Sequence, residues 1–249
     1  MKKILLAGES WVSYTVHTKG IDSFYTSAYG HGADYMIAAL KNGGFDVTYL
    51  NNEIADEKFP FTKKELQEYA AVILSDIGSN TLLLSKKTFF ESKLLPNRCD
   101  AISDYVNDGG SLMMVGGYLS FTGIDAKARY GMTSIADVLP VKMLDTDDRI
   151  ECPQGLTPSI ISTSHPVFNG IEGEWPKFLG YNRTVAKDEG TVLATIGDDP
   201  FMVTGNYGKG RAAVFTSDCS PHWGPMEFVE WKHYQKVWTN LIGWLCKEM

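Results

Sequence analysis

The chain has 249 residues, of which 44% are hydrophobic and 21% charged, with a formal net charge of −7. That length can bury a sizeable core, and the composition is that of an ordinary globular protein. The acidic balance argues against a nucleic-acid partner, which needs a basic face to displace counterions, and no stretch approaches the roughly 18 apolar residues of a membrane helix.

Lys3 to Ala7 is a short apolar run ending at Gly8-Glu9-Ser10. Its length and flanks predict a buried parallel strand, and it is too short for a signal peptide. A polar, aromatic loop is expected from Trp11 to Tyr29. A helix follows from about Gly32 to Lys41, closed by Asn42-Gly43-Gly44. Phe45 to Leu50 is a second strand, and Thr62 to Tyr69 a short helix behind a Thr cap. Ala70 to Ser75 is a third strand, leading into Asp76-Ile77-Gly78-Ser79-Asn80. Asn97 to Asp108 is a helix, ended by Gly109-Gly110, and Leu112 to Val115 is a fourth strand. This alternation predicts a parallel sheet with helices on both faces.

The strand at Leu112 exits through Gly116-Gly117-Tyr118-Leu119-Ser120. Paired glycines after a buried strand permit a sharp turn, a positive φ or a close approach. In a nucleophile elbow such a turn carries Ser or Cys at its apex. No Cys stands here, and Ser120 is the only hydroxyl nucleophile of the usual kind.

The second half is less regular. Ile135 to Leu144 mixes a short helix with an extended segment, and Ser164 to Ile171 is a turn leading to a short helix. Thr191 to Ile196 and Pro200 to Thr204 form a strand pair across a Gly-Asp-Asp turn. Asn206 to Gly210 is a hairpin turn before the strong strand Arg211 to Thr216. A last helix runs from about Phe228 to Lys247 on an apolar stripe. No repeat or clean linker breaks the chain, so one domain is expected over residues 1–249. The four cysteines have no metal-finger or CxxC spacing, so they are expected reduced, in a cytoplasmic protein.

Three local patterns carry a family resemblance. Asp108-Gly109-Gly110-Ser111-Leu112, Ser164-His165-Pro166-Val167-Phe168-Asn169-Gly170-Ile171, and Gly208-Lys209-Gly210-Arg211 before Val214-Phe215-Thr216-Ser217-Asp218 each resemble segments of the class I glutamine amidotransferase-like superfamily. The elbow and the segment Ser217 to Trp223 are similar to an uncharacterised bacterial branch of it. The resemblance implies an α/β, flavodoxin-like, doubly wound, mainly parallel sheet. It also implies a catalytic Cys at the elbow, a His after a late strand and a carboxylate two residues on. Here the elbow offers Gly116, Gly117 or Tyr118, the late strand leads to Asp218, Cys219 and His222, and Gly224 stands where the carboxylate would be. Glutamine hydrolysis needs a thiolate for its acyl intermediate. The chain is therefore expected to lack glutaminase activity and to bind an unknown small polar molecule or act as an oligomeric scaffold. The rival reading is a hydrolase using His222 with Cys219 or Ser120.

Ligands of open α/β sheets bind beyond the carboxyl ends of the strands. That selects Glu9 and Ser10, Asp76 with Gly78 and Ser79, Gly116 to Ser120, and Asp218 with Cys219 and His222. Each has a plainer reading. Glu9 can be a cap, Asp76 to Asn80 an anion nest or an Asx turn, and Ser120 the cap of a helix after the elbow. His222 can be a general base or a structural ring on Trp223, and Cys219 a nucleophile or an inert buried thiol. Arg129 can clamp an anion or pair with a neighbouring Asp. His165 reads as a turn residue. His17, His31 and Asp34 with His222 have no spacing that carries a known metal chemistry, so no metal and no cofactor is expected. The aromatic segment from Trp11 to Tyr29, or the second-half insertions, is expected to drive homo-oligomerisation.

Overall fold

The computed structural model describes residues 1–248. The chain opens with strands β1 (Lys3–Gly8), β2 (Ser10–Lys19) and β3 (Asp22–His31), helix α1 (Asp34–Asn42) and strand β4 (Asp46–Leu50). Helices α2 (Asn52–Lys58) and α3 (Lys63–Leu66) lead to β5 (Ala71–Ser75). Helices α4 (Ser79–Leu83), α5 (Lys86–Glu91) and α6 (Arg98–Asn107) lead to β6 (Ser111–Val115). The second half contributes β7 (Val141–Met143), β8 (Arg149–Leu156), β9 (Ser159–Ile160), β10 (Phe178–Asn182), β11 (Thr184–Ala186), β12 (Thr191–Ile196), β13 (Asp199–Tyr207) and β14 (Gly210–Phe215). Helices α7 (Met226–Val229) and α8 (Tyr234–Leu245) close the chain.

Eight strands form one sheet in the order β4-β1-β5-β6-β14-β13-β12-β9. The first five are mutually parallel, and β13, β12 and β9 extend the sheet antiparallel. Both faces are covered, which explains the unbroken apolar runs of the parallel strands. Along β1, Ile4 and Leu6 enter one core with Met36 and Leu40 of α1 and Trp238 and Leu241 of α8. Leu5 and Ala7 enter the other, with Ala55 of α2, Leu66 of α3 and Ile102 of α6.

Local chemistry sets the ends of several helices. Asn51 and Asn97 cap α2 and α6, and Thr62 with Glu65 forms a capping box on α3. The short second-half elements fall where expected, with a 3₁₀ turn at Ser134–Val138 before β7 and another at Pro166–Phe168.

Four expectations are corrected. Trp11 to Tyr29 is no loop: β2 and β3 pair along their full length as an antiparallel hairpin turning at Gly20-Ile21. Its Val, Tyr and Thr content is a strand signal, and the aromatic richness masked it. No α-helix follows the elbow; residues 118–133 wind through bends and 3₁₀ turns, so Ser120 caps nothing. The helix begun at Thr62 ends after one turn, at Leu66. The last helix is broken, because residues 230–233 separate α7 from α8.

Candidate functional site

The carboxyl ends of β1, β5, β6 and β14 meet at one edge of the sheet, and each runs into residues of the site. β1 leaves through Gly8 and Glu9, both with positive φ, so the chain turns sharply into the hairpin. A Cβ on Gly8 would collide with the Ser75 carbonyl of the next strand. Glu9 is held by backbone bonds to Ser75 and Gly32, and its carboxylate accepts a bond from Ser75 Oγ. It is 2% exposed. Burial, then the nearby Asp218 and Asp76, raise its pKa well above the ordinary carboxylate range.

Asp76, at the end of β5, sits in the left-handed region with φ 44°. Its Oδ1 accepts from the Leu119 N–H at 2.6 Å, which ties β5 to the elbow. Burial and Asp218 raise its pKa to about 6. At the end of β14, Asp218 is buried; its Oδ1 accepts from the Ser220 N–H and its Oδ2 lies 3.4 Å from His222 Nδ1. That contact raises the imidazole pKa, against partial burial.

Gly116 and Gly117 form the elbow. A Cβ on Gly116 would strike the Thr216 carbonyl, and one on Gly117 would stand 2.9 Å from Asp76 Cβ. Gly117 has φ 150°, a conformation that side chains avoid. Its N–H donates to Asn182 Oδ1, and Asn182 donates to the buried Asp148. Asp148 also accepts from the N–H groups of Thr122 and Gly123. The elbow is thus fixed from β5 and from the second half of the chain.

Glu9, Asp76 and Asp218 floor a cleft of about 700 Å³, whose lining takes in Tyr118 but neither Gly116 nor Gly117; its volume is within the usual range for small-molecule sites. Glu9, Ser10, Asp76, Tyr118, Asp218 and His222 line it, together with Trp11, Asn52, Leu119, Ile124, Lys127, Ser220 and Pro221. Tyr118 stands edge-on to His222 with ring centroids 4.5 Å apart, and His222 stacks on Trp223 at 5.3 Å. Glu151 accepts from both the Tyr118 hydroxyl and the Trp223 indole, each at 3.0 Å. The wall beside His222 is an aromatic box pinned by one carboxylate.

Other sequence-selected residues lie apart from the cleft surface. Cys219 is fully buried, 3.9 Å from Ser75 Oγ, and burial followed by Glu9 and Asp218 raises its thiol pKa well above normal. Ser120 Oγ donates to the Val115 carbonyl and accepts the Asp76 N–H. Among the described residues neither has a hydrogen bond to His222. Gly78 stands at the N-cap of α4, and the Ser79 N–H is taken by the Ala128 carbonyl. Arg129 is exposed and reaches Met132 sulfur; it makes no ion pair among the described residues. His17 bonds Thr26, and His31 pairs with Asp34. Glu9, Asp218 and Cys219 bring ligand atoms within 4.8 Å of one another, the one such group among the described residues. A thiol with a raised pKa resists the thiolate form that metals require.

Sequence reasoning missed Asn52, Asn182, Asp148, Glu151 and Lys127. Asn52 was reachable: it follows a parallel strand, and its amide donates to the carbonyls of Ser10 and Asp76. The others come from segments whose position only the folded chain sets.

The chain matches the family model GATase1-like, putative glutamine amidotransferase, over residues 3–247. It is 46% identical to the Cytoplasmic Protein STM3548 from Salmonella typhimurium, covering 98% of this chain and 99% of that one, with a TM-score of 0.95. It is 48% identical to the Cytoplasmic Protein STM1381 from Salmonella typhimurium LT2, over 98% and 99%, with a TM-score of 0.94. A ThuA-like protein of Bacteroides uniformis shares the fold at 12% identity and a TM-score of 0.55, over 96% and 89%. No curated protein matches significantly. No helix among the described residues is long and apolar enough to cross a membrane.

Proposed function

The chain belongs to the GATase1-like, putative glutamine amidotransferase family, and from that membership and the cleft we propose a cytoplasmic binding protein for a small polar molecule, without glutaminase activity. The order β4-β1-β5-β6-β14 supports a flavodoxin-like, doubly wound reading in a single domain, with the ligand at the strand ends.

One observation carries the proposal. Three acids, Glu9, Asp76 and Asp218, converge on one cleft floor, while the elbow offers a glycine crowded against Asp76. Acyl transfer from glutamine needs a nucleophile at a position a reacting carbonyl can reach. Cys219 is a buried thiol, and the Ser120 hydroxyl is committed to backbone partners. An acceptor-rich floor suits a ligand that brings hydrogen-bond donors or positive charge, since burying anions without partners is costly. The aromatic box beside His222 and the Trp11 ring supply apolar contact for the ligand body.

Two measurements test this. Glutamine incubated with the protein should release no ammonia above a boiled control; release that Cys219→Ala abolishes would overturn the reading. In calorimetry against small diamines, amino sugars and dicarboxylates, binding should favour the donor-rich compounds and be lost in Asp218→Asn. Preference for dicarboxylates would reject the assignment of ligand charge.

A further inference from the structure

The β2–β3 hairpin is long, is paired only with itself, and has strongly unequal faces. Cross-strand partners in an antiparallel ribbon lie on the same face. Val12 pairs with Tyr29, Tyr14 with Ser27 and Val16 with Tyr25, so one face carries Val12, Tyr14, Val16, Tyr25 and Tyr29. All five are exposed, Tyr14 at 77% and Tyr25 at 73%. The opposite face carries Ser13 with Ala28, Thr15 with Thr26, and His17 stacked on Phe24. At its base Trp11 lies over Gly30 and reaches the cleft. Period-two patterning of this kind belongs to a sheet with one buried face, yet among the described residues this one meets little beyond Asn51, whose amide donates to the Tyr29 hydroxyl at the base.

We propose that the Val12–Tyr14–Val16–Tyr25–Tyr29 face of the hairpin packs face to face on the same surface of a second copy of this chain. Three physical arguments favour a second copy. First, the face is self-complementary under a two-fold axis: two such ribbons stacked about 10 Å apart form a small sandwich. Second, the area suffices. A tyrosine side chain presents on the order of 200 Å², so at these exposures each ribbon offers about 500 Å². Two ribbons then bury on the order of 1,000 Å², the lower limit for a specific interface. Third, the hairpin strands contain one acid and one lysine, Asp22 and Lys19, both beside the turn, in a chain of net charge −7. The ribbon is where two acidic copies can meet without repulsion, and it offers no net charge to attract a nucleic acid or an oppositely charged protein. An isolated two-stranded hairpin is also marginal in water and gains stability from a packed face.

Light scattering on the purified chain should give an assembly larger than the 27.6 kDa protomer, with a dimer as its unit. The double variant Tyr14→Ser/Tyr25→Ser should weaken association at least about a hundredfold. A cysteine cross-link keeps the test decisive if that variant misfolds. The four native cysteines are buried, so Val16→Cys introduces an exposed thiol and should oxidise rapidly to a linked dimer. Thr15→Cys, on the opposite face, should not. A single-chain mass across micromolar concentrations overturns the proposal. So does an assembly in which Thr15→Cys cross-links as readily as Val16→Cys, because the contact would then lie elsewhere.

Discussion

The elbow after β6 and the β2–β3 hairpin are both built from strand-forming sequence, yet they stand at opposite extremes of packing. At the elbow each group is spoken for: Gly116 abuts a carbonyl, Gly117 abuts Asp76, and Ser120 and Asp76 exchange bonds with backbone. On the hairpin, two rows of side chains face outward and the strands contact only each other in the ladder. The strand chemistry is similar; what differs is the number of neighbours the chain brings to each place. A substitution of the same size should therefore cost far more at the elbow.

The largest effect is expected at Gly116. A methyl there meets the fixed carbonyls of Thr216 and Ser217, so Gly116→Ala should destabilise the fold by about 3 kcal/mol or more. Gly117→Ala should cost about 1–3 kcal/mol, since φ 150° disfavours a side chain and Asp76 can shift only slightly. Urea unfolding of both variants measures this, and costs near zero would mean that the elbow is loosely packed.

The buried acids predict the next effect. Folded Asp76 holds its proton up to about pH 6, whereas an unfolded Asp releases it near pH ~4. The folded chain binds more protons in that window, so stability falls as pH rises through it. Glu9 adds to the same trend, because its pKa is also raised by burial and neighbouring acids. His222 acts likewise: Asp218 raises its pKa, so its stabilisation is complete below the ordinary imidazole value and disappears as pH rises through the folded one. Asp147 opposes this on the acid side, since Arg149 holds its carboxyl low and that contribution is lost on acidification. Thermal unfolding should be latest at roughly pH 5 and earlier at pH 8. Asp76→Asn keeps the acceptor for Leu119 and should raise stability at pH 8 by about 1–2 kcal/mol. A lower stability for that variant at pH 8 would show that the ionised carboxylate is a net benefit.

The smallest effect is expected on the hairpin. A Cβ at Gly30 would come within 2.6 Å of the Trp11 ring, but that ring is 45% exposed and can swing away. Gly30→Ala should therefore cost under about 1 kcal/mol in folding while displacing one wall of the cleft. Urea unfolding beside ligand calorimetry separates the two: a stability loss as large as at Gly116 would erase the contrast between the regions.

Much of this protein was legible locally. The apolar runs of β1, β5 and β6 marked parallel strands, because strands buried on both faces need no alternation, and that of β14 marked a strand whose parallel pairing only the structure shows. The double glycine marked the elbow, because few other residues tolerate that backbone. The strand-end rule selected Glu9, Asp76, Asp218 and His222, four residues that line the cleft. The hairpin was misread because its aromatic richness drew attention from its β-branched, alternating pattern, and no partner strand is implied until Gly20-Ile21 is recognised as a turn. Arg129 was misplaced because no helix follows the elbow to carry it toward the cleft.

The sequence by itself determined the strand and helix alternation, the tight turns and the lack of an elbow cysteine, since these depend on residue type and spacing. Only the tertiary structure decided that three acids share one floor, that Asn182 and Asp148 hold the elbow from the far half of the chain, and that one hairpin face is left bare. Such features arise from contacts between residues distant in sequence, and local propensity carries no record of which distant groups will meet.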